Sequence, residues 1–210
     1  MKKNIDLYLA SQSPRRRELL TQLGINFDVL DIDIDETQKA NETAEDYVTR
    51  LAREKAIAGW SHEKSQLKSQ RKNIPVLGSD TSVVIDGIIL GKPKDSSDAC
   101  SMLKRLSGQT HQVMTAVALL NPLSNTTQNE QYELHSIINV SDVSFKVLSD
   151  REIAQYVESG EGEDKAGSYA IQGKAAAYIT HLAGSYSGVM GLPLFETVEL
   201  LKKSAISTDF

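Results

Sequence analysis

Ile5–Ala10, with the apolar stretch Leu7–Ala10, reads as a short, fully buried strand. Ser11–Pro14 reads as a loop that starts a helix, with Ser13 suited to the N-cap and Pro14 to the first helical position. Leu19, Leu20 and Leu23 give that helix an apolar face, and Gly24 gives it a stop. Phe27–Ile32 reads as a second strand, so the pattern begins strand, helix, strand, as α/β folds do. Thr43 is placed to cap a long helix in which Ala44, Tyr47, Val48, Leu51 and Ala52 keep helical spacing. The polar, lysine-rich Ser61–Asn73 is its solvated end or a loop. Pro75–Gly78 predicts a buried strand. Val83–Ile85 and Ile88–Leu90 around Asp86-Gly87 predict a hairpin, because that dipeptide suits a type I′ turn.

A further helix starts at Ser96 or Ser97, turns Ala99, Met102, Leu103 and Leu106 inward, and stops at Gly108. Val113–Leu120 and Tyr132–Phe145 predict two long strands, joined by a mobile polar turn over Asn121–Gln131. Asp150 caps a helix through Val157. Ser168–Ile171 and Ala177–Leu182 predict strands, Leu192–Lys202 a last helix, and the tail after Lys203 is expected to fray.

Composition narrows the function. The 210 residues suit one large domain or two small lobes around a shared core, able to bury roughly 70% of the unfolded surface. With 23 basic and 28 acidic side chains the net charge is −5, poor for binding nucleic acid or a membrane surface. Cys100 stands alone, which excludes an internal disulfide and a cysteine-based zinc site. His62, His111, His135 and His181 lack ligand spacing, which argues against a zinc enzyme. The first apolar run is too short for a secretion signal, and no run approaches the ~20 residues of a membrane span. The expectation is a soluble cytoplasmic globular protein.

Five stretches could carry chemistry. In Ser11-Gln12-Ser13-Pro14-Arg15-Arg16-Arg17, a helix start with free amides attracts anions, phosphate above all. Cations in a first helical turn oppose the helix dipole, so these arginines either await an anion or form an idle basic turn. Lys55 falls on the buried stripe of its helix, where it meets a carboxylate or a ligand anion, or snorkels to the edge. Gly78-Ser79-Asp80-Thr81 follows a predicted buried strand, and ligands of open α/β sheets bind beyond strand ends. Asp80 could there bind metal, act as a base, or only cap its own turn. Lys92, in Gly91-Lys92-Pro93, could meet phosphate as a point charge, although the spacing is not that of a phosphate loop.

In the acidic run, Asp31, Asp33 and Asp35 share one face of an extended segment and Glu36 takes the other. Such oxygens suit a hard cation, or simply a solvated strand end. Glu163-Asp164-Lys165-Ala166-Gly167 and Ile171-Gln172-Gly173 form a surface loop, unless a nucleotide lies near and Gln172 reads a base edge. Taken together, the helix start, arginines, lysines and carboxylates suit a polyphosphate with a divalent metal.

These stretches, with Asp35-Glu36-Thr37, Arg50–Ala56, Leu106-Ser107-Gly108 and Gly191-Leu192-Pro193-Leu194, resemble the Maf family of nucleoside triphosphate pyrophosphatases from about Leu7 to Leu201. Gln12 stands where the family commonly has a small residue, and Ser187-Gly188 where Ser-Asn is usual. The resemblance implies an α/β fold with an elongated mixed β-sheet, flanking helices and two lobes around a cleft, similar to inosine triphosphate pyrophosphatases. It implies a single domain over residues 1–210, and a homodimer as the family's usual assembly. Arg15, Thr81 and Gln172 resemble the branch acting on dTTP and UTP, not the 7-methyl-GTP branch.

The implied reaction releases pyrophosphate from a nucleoside triphosphate with Mg²⁺ or Mn²⁺. Asp80 is expected as the base and Glu36 as the metal ligand or orienter, with the two roles open to exchange. Arg15, Arg16, Lys55 and Lys92 would hold the triphosphate, Ser11 and Ser13 would bind phosphate, and Thr81, Asp164, Lys165 and Gln172 would complete the substrate site. Two other readings stay open: a pyrophosphatase for modified nucleotides, and a regulator of cell division without turnover.

Overall fold

A computed structural model describes residues 5–66, 74–123, 131–204 and 206. Among them seven strands form one mixed sheet. They are β1 (Leu7–Ala10), β2 (Phe27–Val29), β3 (Val76–Ile85), β4 (Ile88–Leu90), β5 (Thr110–Pro122), β6 (Tyr132–Phe145) and β7 (Ile179–Ala183). Their order is β2-β1-β3-β5-β6-β7, with β4 on β3. β1 runs parallel to β2 and β3, and every other pairing is antiparallel. The helices are α1 (Pro14–Gln22), α2 (Ala44–Gln66), α3 (Ser96–Leu106), α4 (Asp150–Glu158), α5 (Tyr186–Met190) and α6 (Leu194–Lys202). The elongated mixed sheet with flanking helices is as expected.

Alternation along β3 and β5 sorts the core. Val76, Val84, Met114, Ala116, Ala118 and Leu120 pack with Val48, Ala52 and Ala56 of α2. Leu77, Val117 and Leu119 face the other way, against Leu19 and Leu20 of α1 and Leu200 and Leu201 of α6. Further along, Val83, Ile85 and Val113 join Leu103 and Leu106 of α3 with Ile153 and Tyr156 of α4. Strand β3 therefore runs through all three apolar clusters.

The hairpin turn forms as read, with Asp86 at φ 51° and Gly87 at φ 73°, the left-handed pair a type I′ turn requires. β6 has the expected bounds. Thr43 does cap α2, accepting from the Asp46 amide at 3.1 Å. Part of Ser61–Asn73 is helix, through Gln66, and residues 67–73 lie outside the described residues. The Asn121–Gln131 turn also falls largely outside them, although Asn121 and Pro122 belong to β5.

Other elements differ. β1 and β2 are shorter than their apolar runs. Ser13 sits at the N-cap of α1 in extended geometry but makes no capping bond, and the Ser11 hydroxyl accepts its amide instead. Ser149 caps α4 through a capping box with Glu152, which leaves Asp150 as the first helical residue. Ser168–Ile171 is not a strand: a 3₁₀ turn, Ala166–Ser168, runs into it with Gly167 and Ser168 at positive φ. The alternating Tyr169 and Ile171 fill a core from a loop. A second 3₁₀ segment, Lys174–Tyr178, takes the start of the last predicted strand. α5 carries no apolar periodicity long enough to be read from sequence.

Candidate active site

Gly78-Ser79-Asp80-Thr81 lies inside β3, not after it. The strand end that matters belongs to the neighbour. β1 pairs with β3 only as far as Ala10 opposite Gly78, and β4 takes up the same edge at Val83. No described strand covers Ser79–Ser82 on that side, while β5 pairs along the whole stretch on the other. Asp80 and Thr81 thus stand beyond the carboxyl end of a parallel pair, where ligands of such sheets bind.

Gly78 sets the depth of the site. A Cβ there would lie 2.2 Å from the Ala52 carbonyl and 2.7 Å from the Ala56 amide, so α2 rests its backbone on the strand. That contact brings Lys55 over Asp80. The Lys55 ammonium lies 2.6 Å from Asp80 Oδ1 and 2.6 Å from Glu36 Oε1. The Lys55 and Asp80 side chains are about nine-tenths buried, at 13% and 10% exposure, against 46% for Glu36. Burial pushes the Asp80 carboxyl above its ordinary value, although Lys55 and Arg16 pull against it. Glu36 goes the other way: burial would raise it, but the Lys55 bond, Lys92 and Arg16 together hold it below its ordinary value.

The segment carrying Glu36 is pinned from α2. Tyr47 donates to the Glu36 carbonyl at 2.8 Å. Arg50 forms a fork on Glu42 at 2.6 and 2.9 Å and reaches the Thr37 carbonyl at 3.1 Å. Glu42 falls to about 2 because Arg50 bonds its charged form. The segment between β2 and α2 is not strand, so two-faced alternation does not select Glu36. Asp31 is taken by Gln12 and Asp35 by the Thr37 amide at 2.9 Å.

On the opposite face of β3 stands Arg16. It donates to the Gly191 carbonyl at 2.8 Å, to Ser11 Oγ at 3.1 Å and to Thr81 Oγ1 at 3.3 Å. Thr115 Oγ1 lies 3.0 Å from Thr81 Oγ1 and donates to the Gly188 carbonyl at 2.8 Å, while Ser79 donates to Gly191 at 3.0 Å. Burial lowers the Arg16 pKa, and Asp80 and Glu36 oppose that by favouring its charge. A second group of cations gathers around Lys165. Burial, Arg15 and Lys92 bring its ammonium down to about 8, with Glu161 pulling the other way. Asp164 touches Lys165, and the Gly167 amide donates to Gly91 at 3.1 Å, which ties this loop to the one carrying Lys92.

The structure therefore brings together Ser11, Arg16, Glu36, Lys55, Asp80 and Thr81, and beside them Arg15, Lys92 and Lys165. Ser13 joins this group only through its amide, which donates to Ser11 Oγ at 3.2 Å; among the described residues Asp164 and Gln172 do not bond to it, and Gln172 is exposed at the tip of a turn. Sequence reading missed Tyr47, Thr115 and the Gly191 carbonyl. A polar Thr115 inside the apolar run Val113–Leu120 was the one available signal. Among the described residues no three His, Cys, Asp or Glu side chains cluster as a metal cage. Glu36 and Asp80 nonetheless fit a hard divalent ion, since their oxygens already converge on one cation, the Lys55 ammonium.

A dTTP/UTP pyrophosphatase of Aliivibrio fischeri is 53% identical over 93% of this chain and 96% of its own. One of Photobacterium profundum is 51% identical over 92% and 93%, and one of Escherichia coli K12 is 49% identical over 93% and 91%. A solved HAM1 protein of Coxiella burnetii overlays 95% of this chain and all of its own, at 17% identity and a TM-score of only 0.46. The family model described as Maf-like protein matches residues 6–204, nearly the whole sequence, and the chain belongs to that family.

Proposed function

We propose that the chain is a dTTP/UTP pyrophosphatase that adds water to the α-phosphorus, yielding the nucleoside monophosphate and pyrophosphate. The observation that carries this reading is the convergence of Asp80 and Glu36 on Lys55 in the uncovered edge of β3, in a chain about half identical to proteins of that name. Asp80 takes the proton from the attacking water. Its buried setting holds a proton more tightly than an exposed carboxylate does, which makes it the stronger base. Lys55 keeps the carboxylate oriented, and Arg16, fixed at three points, presents positive charge to the phosphates without reorganising. Arg15, Lys92 and Lys165 receive the remaining phosphate charge.

Glu36 and Asp80 would hold a Mg²⁺ or Mn²⁺ ion, which when bound neutralises charge on the phosphates. Gln172 reads the base: its amide both donates and accepts, as uracil and thymine edges require. A homodimer and a cytoplasmic location complete the proposal; no described helix is long and apolar enough to cross a membrane. The test is pyrophosphate release from a panel of canonical and modified triphosphates. dTTP and UTP should give the highest kcat/KM, and equal kcat/KM for GTP or 7-methyl-GTP would sink the base assignment.

A further inference from the structure

Gln172 occupies the third position of a turn closed by the Gly173 amide on the Ala170 carbonyl at 3.1 Å. Its neighbour Ile171 is buried in the core and Gln172 is exposed. Two side chains from elsewhere grip this turn on either side. Tyr156 of α4 accepts from the Ala170 amide at 3.1 Å, two residues before Gln172. Glu161 accepts from the Lys174 amide at 3.1 Å, two residues after it. Tyr156 and Glu161 also bond each other, hydroxyl to carboxylate, at 2.9 Å. The grip leaves no slack: a Cβ on Gly173 would sit 2.1 Å from Glu161 Oε1.

We propose that Tyr156 and Glu161 are positioning residues for base selection, a clamp that holds the turn and so fixes where the Gln172 amide is presented. The inference rests on the reading that Gln172 recognises the base. Neither Tyr156 nor Glu161 needs to touch the nucleotide. The turn between its two anchors is short, and a glutamine misplaced by a fraction of an ångström loses the geometry that separates uracil from guanine. The Glu161 carboxylate has two acceptor oxygens for two donors. A glutamine in its place has only one acceptor oxygen and would turn an N–H₂ toward a donor.

The test is the ratio of kcat/KM for UTP to that for GTP in Tyr156→Phe, Glu161→Gln, Glu161→Asp and Gly173→Ala, each alone and with Gln172→Ala. Gly173 has φ −108°, outside the left-handed region, and the nearest atoms to a Cβ there all belong to Glu161, so alanine acts by pushing the Glu161 carboxylate aside. Thermal melts of every variant check that it folds. The ratio should fall about tenfold in Tyr156→Phe, Glu161→Gln and Gly173→Ala, the scale of one misdirected hydrogen bond, and partly recover in Glu161→Asp. With Gln172→Ala present, the same changes should alter it less than about twofold, since residues acting through one group are not additive.

A general change in charge near Lys165 would instead move KM for both nucleotides together and leave the ratio intact. If Gln172→Ala lowers the ratio but Tyr156→Phe and Gly173→Ala do not, the clamp is overturned and base reading stands. If the ratio survives Gln172→Ala, base reading fails, and the clamp with it.

Discussion

Lys55 donates to Asp80 Oδ1 across 2.6 Å, from a helix on one face of the sheet to the middle of a central strand. Burial pushes that carboxyl up and the ammonium pulls it down. Lys55→Met removes the pull. The acidic limb of the kcat/KM profile for UTP should then move to higher pH by about one to three units, the usual weight of an adjacent opposite charge. A limb at unchanged pH would mean that Asp80 is not the group titrating.

Asp80→Asn should cut kcat by ~10²–10⁴-fold, the cost of losing a general base. The fold should persist. A carboxyl raised in the folded state binds its proton more tightly there, so it costs stability as pH climbs from its ordinary value through the folded one. The amide has no such cost, so the variant should melt no lower than the parent at neutral pH. Near-normal turnover would remove Asp80 from the base role.

Much of this site was legible in the sequence as separate stretches, but its assembly was not. The helix start after Ser11 and the inward lysine of α2 follow from local pattern. Asp80 was misplaced because Gly78, Ser79, Asp80 and Ser82 around it carry little strand propensity. β5 on one side and α2 on one face hold them extended all the same. Arg16 reaches Gly191, 175 positions away, and no periodicity announces such a bond. The cap of α4 was readable, since Ser149 and Glu152 form the capping-box spacing. The loop at Tyr169–Ile171 mimicked a strand because its apolar residues run consecutively and are all buried.

Lys165 gives an alkaline signature. With its ammonium brought down to about 8, charge is lost as pH passes that value, and triphosphate binding should weaken with it. KM for UTP should rise above pH 8 in the parent and stay flat in Lys165→Arg, which keeps its charge. Parallel profiles would exclude Lys165 from phosphate binding.

His111 governs stability, not turnover. It is buried, 2% exposed, with Nε2 on the Tyr169 hydroxyl at 2.8 Å, and burial lowers it to about 4. The unfolded chain then binds a proton that the folded chain refuses between pH 6.5 and about 4. Its contribution is intact above pH 6.5 and is lost as pH falls through that window, on the order of 3 kcal/mol. Urea unfolding at pH 7 and 4.5 should show the loss, and His111→Gln should shrink it. An equal pH dependence in both proteins would refute the assignment.

Metal dependence has its own check. Chelation by EDTA should abolish pyrophosphate release, and Mg²⁺ or Mn²⁺ should restore it, as an all-oxygen donor pair requires. Restoration by Zn²⁺ alone would contradict it.

The strand that bears Asp80 and Thr81 pairs with β5 from Val76 to Val84 and touches all three apolar clusters of the described residues. It therefore cannot fray on its own. Backbone amides of this stretch bonded to β5 should exchange with solvent deuterium only when the whole chain opens. Any loss of turnover before the melting transition would then come from segments outside β3, such as the one that carries Glu36.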